Sequence, residues 1–108
     1  MERALNFFGG RWTAGQGQAG VCINPATAEP AAEYSEASLD EALAAIDAAR
    51  AAFDQGPWPR SPRLREAVLL EFAAQLQARA PEIERWLVTL NGKLAREARG
   101  ELATAVSE

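Results

Sequence analysis

Histidine is absent from the 108-residue sequence, and cysteine occurs once. Without histidine the chain has no ordinary general base near pH 7, no Ser–His or Cys–His pair, and few ligands for zinc. The single Cys22 excludes an internal disulfide, which is typical of a reducing compartment, so we expect a cytoplasmic protein. We do not expect this chain to perform catalysis alone.

Long apolar runs and clusters of basic residues are also missing. The sequence has no run of about 18 apolar residues and no basic stretch followed by an apolar block, so we expect neither a membrane span nor a secretory signal. The net charge is −4 and the basic residues are scattered, so we expect no nucleic-acid partner. A composition of 48% apolar and 24% charged residues is typical of one globular domain. The preference for arginine over lysine is typical of GC-rich bacterial genomes.

Residues 1–37 have the pattern of short β-segments. The Gly9-Gly10 pair predicts a β-hairpin, because two glycines tolerate the positive φ angles of a tight turn. Residues 14–20 contain no large apolar side chain and predict a mobile loop. This loop is followed by no helix and has no P-loop lysine, so we do not expect it to bind phosphate. Two extended segments follow, at residues 21–23 and 31–34.

Residues 38–108 have the pattern of four helices. Ser38 and Glu41 form a capping box at the start of the first helix. Its apolar residues follow at helical spacing, at Leu39, Ala42, Leu43, Ile46, Ala49 and Phe53. The second helix carries a wide apolar stripe, which predicts packing on more than one side. The other start and stop signals are Gly56-Pro57, Ser61-Pro62, Pro81, Asn91-Gly92 and a last start near Leu94. No Gly, Asn or Pro closes the last helix, so we expect the chain to be the front portion of a longer protein.

Five blocks in this order resemble the N-terminal region of the aldehyde dehydrogenase superfamily. Residues 6–12 are similar to its first hairpin, and residues 23–29 (INPATAE) to its INPATGE turn, with Ala28 in place of the glycine. Residues 48–53 with the tryptophan that follows resemble the end of its first helix. Residues 91–93 and 97–101 resemble its x-G-K turn and the helix after that turn.

The resemblance implies an α/β parent fold. This chain would be a mostly α fragment of it, with an N-terminal β-hairpin and short strands followed by about four helices. Residues 38–108 would then be the helical part of the N-terminal cofactor-domain region, truncated at its C-terminus. The implied parent is an NAD- or NADP-dependent oxidoreductase that converts an aldehyde to a carboxylic acid, by thiolate attack and hydride transfer to the cofactor. Family members are homodimers or homotetramers.

The resemblance places no catalytic residue and no cofactor-binding residue in this chain. Both sets lie beyond residue 108, so we expect no bound cofactor in the fragment alone. Cys22 has no cation or base beside it in sequence, and we interpret it as a half-buried structural residue. Lys93, at the end of a helix, is expected to satisfy terminal carbonyls. Some family members bind a monovalent cation through main-chain oxygen near the position of Ile23, but the accompanying carboxylate is missing here, so the implied metal site at Ile23 is weak.

Three hypotheses for the function remain open. In the first, the chain is an inactive N-terminal fragment of a dehydrogenase, and its partner is the remainder of that fold. In the second, it is a free-standing helical interaction module. In the third, it is a subunit that docks on a complete dehydrogenase. The wide apolar surface of residues 64–76 argues against the second, because large exposed apolar patches indicate a missing partner.

Overall fold

The computed structural model describes residues 1–107, which divide into two compact units. The first unit comprises residues 1–23 and 30–62, and the second comprises residues 24–29 and the chain from Arg63. The strands are β1 (Glu2–Arg3), β2 (Asn6–Phe8), β3 (Arg11–Thr13), β4 (Ala19–Ile23) and β5 (Pro30–Ser35). The helices are α1 (Leu39–Gln55), α2 (Pro62–Ala78), α3 (Ala80–Asn91) and α4 (Ala95–Ser107), with a 3₁₀ turn at Trp58–Arg60. The expected architecture, mostly α with short N-terminal strands followed by four helices, is confirmed.

The strands of the first unit form two small sheets. β2 and β3 pair as the predicted antiparallel hairpin, whose turn residues Gly9 and Gly10 have φ angles of 57° and 78°. In the other sheet β5 is central, with β4 antiparallel on one side and β1 parallel on the other. The two extended segments expected from the sequence lie within β4 and β5. β1 was not predicted, because two residues are too few to show a period.

The segment 14–20 differs from the mobile loop expected of it. Its last two residues belong to β4, where Gly20 lies against Tyr34: a Cβ atom there would come within 2.3 Å of the tyrosine ring. A Cβ atom on Gly15 would come within 2.4 Å of the carbonyl oxygens of Ser35 and Glu36. The lack of large apolar side chains predicted a mobile loop, whereas here the glycines permit close packing of the segment on β5 and the residue after it.

One carboxylate joins the glycine-rich segment to the start of α1. Glu41 accepts hydrogen bonds from the backbone N–H of Ser38 and of Gln16, both at 2.8 Å, and its own N–H donates to the Ser38 hydroxyl at 3.2 Å. The predicted capping box is therefore confirmed. Donation from Ser38 first, and from Gln16 second, lowers the pKa of the Glu41 carboxyl from its ordinary value.

The second unit is built on the packing of α3 against α4. Ala98 and Leu102 of α4 are buried, and α3 ends as predicted at Gly92, which has a φ of 65° and donates to the carbonyl of Val88 at 3.0 Å. A Cβ atom on Gly92 would lie 3.0 Å from Pro25 Cγ. The absence of a side chain at Gly92 thus lets the turn at residues 24–29 rest on the end of α3.

The turn at residues 24–29 contains one unfavourable backbone angle. Its ends are joined by hydrogen bonds from Asn24 N–H to Glu29 O at 2.9 Å and from Ala28 N–H to Asn24 O at 2.8 Å. Ala28 has a φ of 60°, and it is the only non-glycine among the described residues with positive φ. The turn therefore keeps a left-handed residue at the position where the related motif has glycine, and alanine there carries a steric cost.

The apolar stripe of α2 is not covered as the sequence led us to expect. No residue of α2 is buried, and the described chain leaves four of its large apolar side chains exposed, at Val68, Leu69, Leu70 and Phe72. Leu64 and Leu76 are half-buried. The expectation of packing on several sides is wrong within this chain, because periodicity identifies an apolar face but not what covers it.

The strained turn leads to a stability prediction. We expect Ala28→Gly to raise the free energy of unfolding by about 0.5–1 kcal/mol, because relief of the left-handed alanine exceeds the added entropy of glycine in the unfolded chain. Urea unfolding of the whole chain, followed by circular dichroism, measures the change. Ala26→Gly, in the same turn but without positive φ, is the matched control and should not stabilise. Equal effects of the two substitutions would contradict the explanation.

The Glu41 contacts lead to a pH prediction. Because the pKa of Glu41 is lowered on folding, its hydrogen bonds stabilise the fold fully above the unfolded pKa of about 4.3 and are lost as pH falls through the folded value. In an NMR pH titration, the amide signals of Gln16 and Ser38 should move together, with a midpoint below about 4.3. Glu41→Gln should abolish this titration, and Glu36→Gln should leave it intact. A midpoint above the ordinary value for glutamate would contradict the assignment.

Candidate functional site

Cys22, the single cysteine of the sequence, lies within a β-strand. Cys22 is half-buried in β4, where it pairs with Ala32 of β5 and forms no disulfide. A thiol becomes a nucleophile when a cation, a base or a helix N-terminus lowers its pKa, and the sequence has no histidine to do so. The interpretation of Cys22 as a half-buried structural residue is supported by this position.

Lys93 makes a contact different from the one expected. Its ammonium group forms an ion pair with the carboxylate of Glu101 on α4, rather than with the carbonyls at the end of α3. The expectation failed because Glu101 is eight residues away and only the path of the chain after Gly92 brings it near. A paired lysine that links the α3–α4 turn to α4 has a structural use.

Ile23, the predicted ligand of a monovalent cation, lies at the end of β4. The ladder shifts register between Cys22 and Ile23, so Ile23 pairs with Pro30 across a local irregularity of the β4–β5 ladder. The described residues contain no group of three His, Cys, Asp or Glu side chains that could hold a metal ion. The cation site at the Ile23 main-chain oxygen stays a prediction.

A groove in the first unit is lined by apolar residues and glycines, and none of its lining side chains is titratable. It lies between the hairpin and α1, has a volume of about 530 Å³, and is lined by Phe7, Phe8, Gly9, Gly10, Ala45, Ala48, Ala49 and Ala52. The alanines form the face of α1 that is turned to the hairpin. A groove without acid, base or nucleophile can hold an apolar side chain but offers no catalysis.

The dominant surface feature is exposed apolar area. In the described part of the chain, three apolar residues are buried, Ala32, Ala98 and Leu102, whereas seventeen large apolar side chains are exposed. A soluble monomer seldom exposes large contiguous apolar patches, and those that do occur commonly mark contact surfaces. The candidate functional site of the described residues is therefore an interaction surface.

One exposed row on α1 is long and straight. Leu39, Leu43, Ile46 and Phe53, which we call the α1 seam, are between 48% and 74% exposed. Their spacing places them on one side of the helix, away from the alanines that face the hairpin. Sequence periodicity identified these positions as an apolar face; it gave no sign that the face would lie in solvent.

A second exposed apolar feature lies on the hairpin. The rings of Phe7 and Trp12, directly opposite each other in the β2–β3 ladder, have centroids 4.9 Å apart and are tilted by 52°. Both side chains are more than half exposed. On the same hairpin the Asn6 amide nitrogen and the Thr13 hydroxyl are buried without a hydrogen-bond partner.

The chain matches the aldehyde dehydrogenase family over residues 12–108. It is 34% identical over 109 aligned residues to 3,6-anhydro-alpha-L-galactose dehydrogenase of Vibrio, covering 99% of this chain and 22% of that protein. It is 35% identical to malonate-semialdehyde dehydrogenase 3 of Geobacillus kaustophilus, covering 94% and 21%. Aldehyde dehydrogenase 1 of Tanacetum cinerariifolium is 42% identical over 78 residues, covering 71% and 16%.

The fold is also that of solved dehydrogenases. An NAD-dependent aldehyde dehydrogenase from Sinorhizobium meliloti superposes with a TM-score of 0.92 at 30% identity, covering 98% of this chain and 22% of that one. An NAD-dependent benzaldehyde dehydrogenase from Corynebacterium glutamicum superposes with a TM-score of 0.86 at 29% identity, and the match covers 93% of this chain and 22% of that one. The chain spans roughly a fifth of the length of the curated relatives it matches. On these matches, the chain belongs to the aldehyde dehydrogenase family, as a portion of its N-terminal region.

Proposed function

We propose that this chain is the N-terminal structural part of an NAD(P)-dependent enzyme that oxidises an aldehyde to a carboxylic acid, and that it is inactive alone. The proposal is supported by the family match and by solved relatives that are NAD-dependent. Its partner is the remainder of the dehydrogenase fold, and the assembled enzyme is a homodimer or homotetramer. The compartment that we propose is the cytoplasm, in keeping with a free cysteine.

The observation that carries the proposal is the imbalance between exposed and buried apolar side chains. Removing a Leu, Ile or Phe side chain from water stabilises a protein by about 1.5–3 kcal/mol. The α1 seam and the exposed side chains of α2 forgo this stabilisation in the chain alone. A partner that covers both surfaces would recover it, and the remainder of the family fold is such a partner.

The residues present do not fit a nicotinamide cofactor. The glycine-rich segment is the place where main-chain amides could hold a pyrophosphate. Its Gln16 N–H donates instead to Glu41 at 2.8 Å, and its Gly17 N–H donates to the Glu36 carbonyl at 2.8 Å. A carboxylate already occupies the position where an anion would bind, so the proposed enzyme takes its cofactor contacts from the remainder of the fold.

The chemistry must likewise come from elsewhere. Aldehyde oxidation through a thioester needs a thiolate nucleophile, donors for the oxyanion and a base for the hydrolytic water. Cys22 is held in a strand and Lys93 is paired with Glu101. Within the proposed enzyme this chain therefore supplies surfaces that pack, and the remainder supplies the reacting groups.

No described helix is long and apolar enough to cross a membrane.

Complementation tests this proposal. The NAD-dependent aldehyde dehydrogenase of Sinorhizobium meliloti, expressed without the 22% of its chain that this chain covers, should be inactive and should regain aldehyde-dependent NADH formation when refolded with the 108-residue chain. The reason is that the chain would cover the apolar surfaces that the truncation exposes. The chain alone should form no NADH.

Two outcomes would count against the proposal. Aldehyde oxidation by the chain alone would show that it carries its own chemistry. A cooperative thermal transition in a monodisperse monomer, with no rescue of the truncated relative, would favour the free-standing interaction module. Rescue of the truncated relative by an unrelated helical protein of similar size is the control, and it would show that the assay reports only non-specific protection of apolar surface.

A further inference from the structure

The α1 seam has the spacing of a helix–helix interface. Its four residues, together with Arg50, follow one another at alternating intervals of four and three residues, in the order Leu39, Leu43, Ile46, Arg50 and Phe53. This is the heptad pattern of a and d positions, which places one side chain after another along a single straight edge of a helix. Arg50 is the one polar residue in this row, and its guanidinium lies over the Phe53 ring at 5.6 Å. The fourteen steps from Leu39 to Phe53 make the edge about 21 Å long.

An acidic row borders the seam on one side. Asp40, Asp47 and Asp54 recur every seven residues, each directly after a seam residue, which is the e position of the same heptads. Asp54 is satisfied internally by a bidentate contact with Arg50, at 2.6 and 2.8 Å. Asp40 and Asp47 have no cation within ion-pair distance among the described residues, although Asp40 lies in the first turn of α1, where the helix N-terminus favours a carboxylate. The border therefore presents two carboxylates without an ion-pair partner along an apolar edge.

The other border of the seam consists of small side chains. Ala42 and Ala49 occupy the corresponding g positions, so nothing bulky hinders close approach from that side. The opposite face of the helix is turned to the hairpin through Ala45, Ala48 and Ala52, and Ala49, on the border of the seam, also lines that groove. The large seam residues themselves are not part of the groove, so the seam can be covered without rearranging the first unit.

We propose that the α1 seam binds a second α-helix whose apolar edge is bordered by lysine or arginine. The heptad spacing calls for a helix rather than a sheet, and the acidic e row calls for a basic border, because charges at these positions select partner and orientation. The inference rests on the proposed function in one respect: the helix belongs to the four fifths of the dehydrogenase fold that relatives have outside the region matched by this chain.

Two synthetic helical peptides test the inference on the 108-residue chain. Both carry the same Leu/Ile heptad edge, and they differ only in having lysine or glutamate at the bordering positions. Fluorescence anisotropy should show the lysine peptide binding about tenfold more tightly at low salt. The reason is that Asp40 and Asp47 each attract a bordering lysine and repel a bordering glutamate. The preference should shrink as salt screens the exposed pairs. Equal affinity of the two peptides would overturn the inference.

Matched variants locate the binding on the chain. Asp47→Lys should lower the preference for the lysine peptide about tenfold and so remove it, because the reversed pair then opposes the other, whereas Glu36→Lys, an equal change of net charge away from the seam, should leave it unchanged. Ile46→Asp should abolish binding of both peptides, whereas Ala44→Asp, on an exposed part of α1 outside the seam, should not. Circular dichroism confirms that each variant keeps its helix content. Loss of the preference in the Glu36 variant, or retained binding in the Ile46 variant, would contradict the seam as the site.

The two proposals fail in different ways. Selective peptide binding without rescue of the truncated relative would leave the seam as a helix-binding surface and would reject its assignment to a dehydrogenase. Rescue of the relative with no selectivity between the peptides would support the proposed function and would reject the basic-bordered helix. An Asp47→Lys chain that rescues as well as the unaltered chain would also reject it.

Discussion

Burial of apolar surface is the constraint on which this structure depends, because the chain buries so little of it. Folding is driven mainly by removing apolar side chains from water, at about 1.5–3 kcal/mol for each large one. Here Ala32, Ala98 and Leu102 are the buried apolar residues of the described chain, and two of them are alanines. The faces of α1 and α2 are formed but not covered. The family match gives the reason: these helices belong to a fold of which the chain spans roughly a fifth.

Short-range interactions, rather than a large apolar core, fix the positions of the elements. The Glu41 carboxylate binds main-chain amides from both the start of α1 and the glycine-rich segment, so it holds two elements with one group. Gly20 and Gly92 lack a side chain where Tyr34 and Pro25 approach the backbone. Such contacts set where elements begin, end and touch. They do not compensate for an uncovered helix face, since each of these hydrogen bonds replaces one to water and contributes only about 1 kcal/mol.

The same division explains what the sequence could predict. The hairpin at Gly9-Gly10, the capping box at Ser38 and the end of α3 at Gly92 were predictable, because each depends on residues within a few positions of one another. The family followed from five such local motifs in order. The parallel pairing of β1 with β5 and the contact of Lys93 with Glu101 were missed, because both depend on the path of the chain. The α1 seam was predictable as a periodic apolar face, but its exposure depends on neighbouring elements. The heptad spacing indicates a helix-binding surface only when the structure shows that the seam is exposed.

An exposed apolar surface can associate with non-cognate partners as well as with its own. The acidic border of the α1 seam disfavours such association. Apolar contact is not selective, so an uncovered seam could pair with a second copy of itself. In an antiparallel pair of α1 helices the e rows face each other, which would bring Asp47 against the carboxylates of the other copy. In a parallel pair the e row faces Ala42 and Ala49, which offer no compensating charge. Neither arrangement satisfies the aspartates, whereas a helix with a basic border satisfies them in either direction. The charges beside the seam therefore disfavour self-association and favour a different helix, and this selectivity requires no reacting group in the chain.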